Sequence, residues 1–171
     1  FDFARDVVDA WAQIDPAKRA LVYCTDEEGS ERTFSFGEIS ELSKRAAGWL
    51  VAHGVGRGDR VLTLARRRWE YWIIAVALCR IGAVPVPCSI QMTTKDIVYR
   101  VQAAKVKMIL ALDDDFVLGQ LRGVPEECPS LQTIALIGDH HEHSWPTPGS
   151  DASAPSATTP SPYPSFTHEF A

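Results

Sequence analysis

Apolar residues recur at helical spacing near the start of the chain and give way to a turn at Asp15-Pro16. The positions on this apolar face are Ala4, Val7, Val8, Trp11 and Ile14. Two short runs, ALVYC and RTFSF, then flank the turn-rich segment TDEEGSE, which predicts an antiparallel β-hairpin. Ser35 and Glu38 have the spacing of a capping box, so a helix is predicted from there to about Gly54.

Beyond this helix, short apolar runs alternate with amphipathic stretches. The runs RVLTLA, VPVPCS, KMILAL and QTIALIG predict strands, and the stretches WEYWIIAVALCRIG, KDIVYRVQAAK and DFVLGQLRG predict helices. This alternation is typical of βαβ units in a parallel sheet. The predicted fold class is therefore α/β, a parallel sheet with helices on both faces, preceded by an N-terminal β-hairpin.

The run VPVPCS contains Pro85 and Pro87, which cannot donate to a sheet ladder. We therefore expect this strand at an edge of the sheet, or at the entry to a loop. The segment SIQMTT follows it, and Thr93 with Asp96 predicts the cap of the next helix. Because ligands gather beyond the carboxyl ends of parallel strands, SIQMTT is the best functional candidate in the folded part.

The composition changes sharply after residue 139. From Ser144 to Ala171, 16 of 28 residues are Ser, Thr or Pro, and aliphatic side chains larger than Ala are absent. Such a segment buries too little apolar surface to offset the entropy lost on ordering. We predict a folded domain over 1–139 and a Pro/Ser/Thr-rich linker or disordered tail over 140–171.

Charge and cysteine content exclude some classes of protein. A net charge of −5 at pH 7 gives no support for nucleic-acid binding. The four cysteines form no C-x-x-C pair and three of them lie in apolar runs, so we interpret them as reduced core or strand residues. This indicates an intracellular protein, with the compartment undecided.

Three short motifs suggest functional sites but fit structural roles better. GVGRGD closes a helix and precedes a strand, the reverse of the dinucleotide-binding order, which favours a structural turn. DHHEH, at 139–143, matches no zinc spacing and borders the tail, which favours a solvated loop. The run after Arg66–Arg68 is conceivable as an interfacial membrane helix. Glu70 and Arg80 interrupt it and it is too short to span a bilayer, so a helix packed on the sheet is preferred.

Recognisable catalytic machinery is absent from the sequence. There is no glycine-rich loop ending in Lys, no G-x-S-x-G elbow and no carboxylate pair in an obvious acid/base position. We assign no catalytic or metal-binding residue, and composition and periodicity alone indicate an α/β domain without a stated activity.

The motifs GDRV, RIGAV, IQMTTKDIVYR and ECPSLQT, read in order, give a resemblance. From about Phe1 to Gly138 the chain resembles the N-terminal part of acyl-CoA synthetases of the adenylate-forming superfamily, most closely the medium-chain (butyrate-type) enzymes. The resemblance implies a ligase that converts a fatty acid, ATP and CoA into acyl-CoA, AMP and pyrophosphate, with Mg²⁺ required. The family's catalytic motifs are not in this chain, so we expect it to be inactive alone and to need the remainder of its own synthetase chain as partner.

One residue can be carried over from the family, and one feature departs from it. The Gln of IQM borders the CoA site in the medium-chain enzymes, which makes Gln91 a candidate CoA ligand through a buried amide. The alternative is that Gln91 only closes the hydrogen bonds of its loop. The segment LARRRWEYW lacks the proline usual in the family after that strand.

Two hypotheses of different classes follow. In the first, the chain is the N-terminal portion of a medium-chain acyl-CoA synthetase. In the second, it is a non-catalytic truncated paralogue that acts as a binding or interaction module. The acyl chain length is not readable from these residues.

Overall fold

The computed structural model describes residues 1–25 and 31–138 together with Pro164 and Phe166. The strands are β1 (Arg19–Tyr23), β2 (Arg32–Ser35), β3 (Arg60–Leu64), β4 (Val84–Pro87), β5 (Met108–Leu112) and β6 (Thr133–Ile137). A π-helix over Phe3–Asp9 continues into α1 (Ala10–Ile14), and the other helices are α2 (Phe36–Ala52), α3 (Trp69–Ile81), α4 (Thr94–Ala104), α5 (Asp115–Leu121) and α6 (Val124–Glu127). The order of elements is the predicted one, with α6 as a short additional helix.

Strands β3 to β6 form a parallel four-stranded sheet in the order β4-β3-β5-β6. Strands β1 and β2 pair antiparallel in a separate two-stranded sheet. Both findings confirm the predicted α/β class with its N-terminal hairpin. The chain runs from β4, at the edge, through α4 and past β3 to β5. The spatial order of the strands therefore differs from their order in the sequence.

The sheet has a hydrophobic core on each face. Successive strand residues point to opposite faces, so Val61 packs with α2 and α3 whereas Leu62 packs with α4 and α5. Met108 and Ile109 divide between the two clusters in the same way. Burial on both faces explains why these strands are almost continuously apolar.

Strand β4 lies at an edge of the sheet, as its prolines predict. The Val84 N–H donates to the Asp59 carbonyl at 2.8 Å and the Cys88 N–H donates to the Thr63 carbonyl at 2.9 Å. The backbone N–H groups of the even-numbered residues of this segment therefore point towards β3. Pro85 and Pro87 alternate with these residues along the strand, so their backbone nitrogens point away from β3. Their missing N–H groups therefore face the open side, where no ladder bond is lost.

The segment GVGRGD is a structural turn between α2 and β3. Gly54 (φ 85°) and Gly58 (φ 80°) adopt left-handed conformations that favour glycine. The Asp59 carboxylate accepts hydrogen bonds from the Gly56 N–H and the Lys107 ammonium, both at 2.8 Å. These two hydrogen bonds lower the pKa of Asp59, and the bond from Lys107 has the larger effect. They also fix the turn at the amino ends of the strands.

A charged cluster joins three helical segments on one side of the sheet. Arg80 of α3 donates to both carboxylate oxygens of Asp9, at 2.7 and 2.9 Å, and to the Ser43 hydroxyl at 3.0 Å. The Ser40 hydroxyl donates to the same carboxylate at 2.7 Å. The hydrogen bonds from Arg80 and Ser40, with the Arg80 charge, lower the pKa of Asp9 to about 2 despite partial burial.

Two residues of the predicted tail belong to the packed fold. The Leu136 N–H on β6 donates to the Pro164 carbonyl at 2.9 Å. Phe166 is fully buried and meets the Trp49 ring edge-on, with 4.8 Å between ring centroids. Pro164 and Phe166 therefore contact the folded domain, and the linker or tail over 140–171 stays a prediction. Its other residues lie outside the described part of the chain.

The cysteines are free thiols, but only Cys128 lies in the core. Cys88 is partly buried just beyond β4, whereas Cys24 and Cys79 are exposed. The prediction of core or strand positions is wrong for these last two. Cys24 follows the final residue of β1, and Cys79 lies on a face of α3 that the sheet does not cover.

Helix α3, which follows the arginine run, packs against the sheet and α2 as preferred. Its buried residues are Trp69, Glu70, Ile73, Ile74, Val76, Ala77 and Leu78. Glu70 is buried because Arg68 donates to its carboxylate at 2.7 Å. Within the described ranges, no helix has the length and apolar character needed to cross a membrane.

Candidate functional site

The loop SIQMTT lies at the carboxyl end of β4, where sequence reasoning places it. Ile90 packs against the core cluster below α4, and Met92 is buried in that cluster. Gln91 stands between these two anchors in a turn and is exposed. The packing of partly buried Ile90 and buried Met92 fixes the loop and leaves the Gln91 side chain at its outer surface.

Both ends of this loop are held by hydrogen bonds. The Gln91 N–H donates to the Ser89 hydroxyl oxygen at 3.2 Å. On the far side, Thr93 and Asp96 form the predicted capping box at the start of α4. The Gln120 side-chain oxygen on α5 also accepts from the Thr94 N–H at 2.9 Å. The loop is thereby tied to two helices as well as to β4.

The Gln91 amide differs from expectation in one respect. The prediction of a buried amide is wrong, because Gln91 is exposed. Among the described residues its side chain has no hydrogen-bond partner, and only its backbone N–H contributes to the loop. The geometry therefore leaves the amide free to meet a ligand, and the CoA role of Gln91 stays a prediction.

Two clefts open at the carboxyl ends of the strands. The hairpin cleft, about 650 Å³, runs between the end of β1 and the ends of β3 and β5, and is lined by Tyr23, Cys24, Thr25, Arg66, Arg67, Arg68, Leu112, Asp113 and Asp114. The β4 cleft, about 440 Å³, is lined by Thr63, Ala65, Arg66, Arg67, Tyr71, Trp72, Pro87, Cys88, Ser89 and Ile90. Both volumes suit a small-molecule ligand.

Arg66 and Arg67 separate the two clefts and line both. Their guanidinium groups have no ion-pair or hydrogen-bond partner among the described residues, whereas Arg68 is paired with Glu70. The hairpin cleft also contains Asp113 and Asp114, which offset the positive charge. The lining of the β4 cleft contains no carboxylate, so its character is cationic.

The residues here do not form a metal centre. The described ranges contain no group of three or more His, Cys, Asp or Glu side chains that could hold a metal ion. The DHHEH motif, 139–143, lies outside the described residues, so its predicted loop character stays a prediction.

Sequence reasoning missed the role of Arg66 and Arg67 at this edge. It weighed them only as part of a membrane-surface motif. The available signal is their position directly after β3, because residues that follow parallel strands meet at the ligand-binding edge. For Thr63, which lines the β4 cleft, the sequence gives no such positional signal. An isolated Thr within an apolar strand cannot be told from a core residue by sequence.

Comparison with known proteins identifies the family. The family described as AMP-binding enzyme matches residues 8–166. The mouse (Mus musculus) protein named Acyl-coenzyme A synthetase ACSM4, mitochondrial, is 41% identical over 151 residues, which is 85% of this chain and 26% of that protein. The human (Homo sapiens) Acyl-coenzyme A synthetase ACSM2B, mitochondrial, is 37% identical over 150 residues, with the same coverage of 85% and 26%. The chain thus spans about a quarter of the length of these relatives.

Solved structures show the same fold. A putative long-chain-fatty-acid CoA ligase from Rhodopseudomonas palustris superposes with a TM-score of 0.75 at 20% identity, covering 100% of this chain and 36% of that one. Acetoacetyl-CoA synthetase from Streptomyces lividans also gives 0.75 at 20% identity, covering 100% and 25%. The match over residues 8–166 shows that the chain belongs to the AMP-binding enzyme family, and its fold is shared with both of these solved structures.

Proposed function

We propose that this chain forms part of a medium-chain fatty acid:CoA ligase that makes acyl-CoA, AMP and pyrophosphate from a fatty acid, ATP and CoA. In the first step a carboxylate oxygen attacks the α-phosphorus of ATP and pyrophosphate leaves. In the second, the CoA sulfur attacks the acyl carbonyl, the bond to AMP breaks, and the thiol proton passes to solvent. The motivation is the family match together with relatives whose names are acyl-coenzyme A synthetases.

The observation that carries the proposal is the position of Gln91. Its amide projects from a loop that is anchored on both sides and follows an edge strand at the ligand-binding end of the sheet. A free amide there can both donate to and accept from the amide groups of pantetheine. We assign Gln91 the role of orienting CoA for the second step.

The other groups required by the reaction are not assigned to residues here. Mg²⁺ spreads the charge of ATP phosphates when bound, but the described residues offer no cluster that fits it. The phosphate-holding loop belongs to the remainder of the synthetase chain, since the sequence contains no glycine-rich loop ending in Lys. We further propose an intracellular setting, mitochondrial or cytoplasmic; the names of the relatives support the mitochondrial alternative.

The proposed reaction is tested on the protein encoded by the open reading frame that contains these residues. We expect exchange of radioactive pyrophosphate into ATP that depends on butyrate or hexanoate, and acyl-CoA formation once CoA is added. If that reading frame holds no Ser/Thr/Gly-rich loop ending in Lys and the protein shows no exchange, the ligase assignment fails. Retained CoA binding without turnover would instead identify the binding module.

Replacing Gln91 by alanine in the full-length enzyme should weaken the use of CoA. A lost hydrogen bond of about 0.5–1.5 kcal/mol corresponds to a roughly two- to tenfold rise in KM for CoA. Pyrophosphate exchange measured without CoA should not change, because adenylate formation does not involve this amide. Gln13→Ala, at an exposed position on α1, is the matched control. An equal loss in both half-reactions would show that Gln91 acts only through the structure of its loop.

A further inference from the structure

A side-chain oxygen on α5 binds the start of α4. The Gln120 Oε1 atom accepts from the Thr94 N–H at 2.9 Å and from the Thr94 hydroxyl at 3.2 Å. Thr94 is the first residue of α4, so its N–H has no acceptor within the helix. Gln120 supplies this acceptor from a different helix. The bond therefore fixes where α4 begins relative to α5.

The same helix start is the far end of the loop SIQMTT. Thr93 caps α4 through Asp96, and Gln91 lies just before that cap. Met92, between Gln91 and Thr93, is buried in the core cluster that α4 and α5 share. Apolar packing is non-directional and sets the depth of the loop, whereas a hydrogen bond also sets orientation. Gln120 thus acts on the part of the loop that presents Gln91.

The bond requires only an acceptor at position 120. The Gln120 side-chain nitrogen makes no hydrogen bond within the described part of the chain. A glutamate would therefore keep the contact, and its charge would lie at a helix N-terminus, where negative charge is favourable. Methionine has a similar length but only a weak sulfur acceptor, so it removes the bond with little change in volume. These two substitutions separate the hydrogen bond from the bulk of the side chain.

We propose that Gln120 is a positioning residue for the second step of the ligase reaction: it holds the start of α4 so that the SIQMTT loop presents the Gln91 amide to CoA. The inference rests on the proposed function and adds a residue that acts through another. Its effect passes from Gln120 through Thr94 and the loop to Gln91. Loss of the bond should therefore raise the KM for CoA and leave adenylate formation unchanged.

A second glutamine on α4 provides the matched control. The Gln102 Nε2 atom donates to the Glu127 carbonyl at 2.8 Å, which ties α4 to the end of α6. Gln102 lies near the opposite end of α4 from Thr94, so the same substitution there removes a comparable bond about 12 Å away along the helix. Gln102→Met should therefore cost similar stability without moving the loop.

Kinetics of the full-length enzyme test the functional part. We expect Gln120→Met to raise the KM for CoA about twofold or more, up to the rise in Gln91→Ala, with pyrophosphate exchange unchanged. Gln120→Glu should restore the KM of the unmodified enzyme, and Gln102→Met should leave it unchanged. On a Gln91→Ala background, Gln120→Met should raise the KM no further, because both act through one amide. An equal rise on that background, an equal rise in Gln102→Met, or an unchanged KM in Gln120→Met overturns the proposal.

Hydrogen exchange, measured by mass spectrometry on the same protein without substrates, tests the positioning itself. Peptides that cover residues 89–93 should exchange about threefold or more faster in Gln120→Met, and at their original rates in Gln120→Glu and Gln102→Met. This readout is independent of turnover. Absence of ligase activity thus overturns the proposed function, while exchange still decides whether Gln120 holds the loop. Unchanged exchange in Gln120→Met overturns the positioning role. Equal melting temperatures of Gln120→Met and Gln102→Met exclude a general loss of stability as the cause.

Discussion

Replacing Phe166 by alanine is expected to lower the free energy of unfolding by about 3–5 kcal/mol, the usual cost of removing a buried phenyl ring. Phe166 is 0% exposed and belongs to the same core cluster as Trp49 and Leu50 of α2. Its ring meets Trp49 edge-on, an arrangement that adds to the burial term. Truncation would leave a cavity beside Trp49, because the sheet and α2 hold the surrounding side chains in place. Urea unfolding followed by circular dichroism measures the change.

Phe116→Ala is the matched control for this prediction. Phe116 lies in α5 and is 53% exposed, so the same substitution removes little buried surface. Its cost should stay below about 1 kcal/mol. Comparable losses at Phe116 and Phe166 would mean that Phe166 does not hold its segment in the core. In that case the predicted tail would be independent of the domain after all.

Local signals in the sequence predict most of the fold. The capping boxes at Ser35 and Thr93 are present as expected, because they depend on residues only three positions apart. The edge position of β4 follows from Pro85 and Pro87, since missing donors are tolerated only where no strand pairs. These features need no knowledge of distant contacts.

Features that depend on distant contacts are not predicted. Phe166 lies in a polar, proline-rich stretch, and nothing in that stretch shows that Trp49 offers a place for its ring. Cys79 lies in an apolar helix, and its exposure depends on which face of α3 meets the sheet. In each case the deciding partner is far away in the sequence.

The candidate site likewise combines a feature that the sequence predicts with features that depend on distant contacts. The position of SIQMTT follows from strand order and the topology of parallel sheets. The exposure of Gln91 follows instead from the packing of its neighbours, because Met92 is buried in a core that α4 and α5 complete and partly buried Ile90 packs against that core. The sequence likewise does not show that the buried Thr63 hydroxyl has no hydrogen-bond partner among the described residues, because this depends on which side chains surround it in the fold.

Arg80→Met should destabilise the protein by about 2–3 kcal/mol at neutral pH, somewhat below the cost of breaking a fully buried pair. The Arg80 and Asp9 side chains are 12% and 22% exposed, so among the described residues the variant leaves a largely buried carboxylate with Ser40 as its one side-chain hydrogen-bond donor. Methionine fills much of the space of the arginine stem, which confines the effect mainly to the charge. Arg5→Met is the control, because the Arg5 side chain is 70% exposed in its pair with Asp2 and that pair should contribute less than about 0.5 kcal/mol.

The pH dependence of this loss identifies its cause. In the folded protein the pKa of Asp9 is lowered from 3.8 to about 2, first by the hydrogen bond from Arg80. A lowered carboxyl pKa stabilises the fold above the unfolded pKa, by about 2 kcal/mol here, and this stabilisation is lost as pH falls from about 5 towards 2. We therefore expect the difference in unfolding free energy between the unmodified protein and Arg80→Met to narrow by about 1 kcal/mol between pH 7 and pH 3. When both proteins carry Asp9→Asn, the difference in unfolding free energy caused by Arg80→Met should not change between pH 7 and pH 3. A difference that stays constant with pH would show that Arg80 stabilises the three helical segments through packing and not through the Asp9 carboxylate.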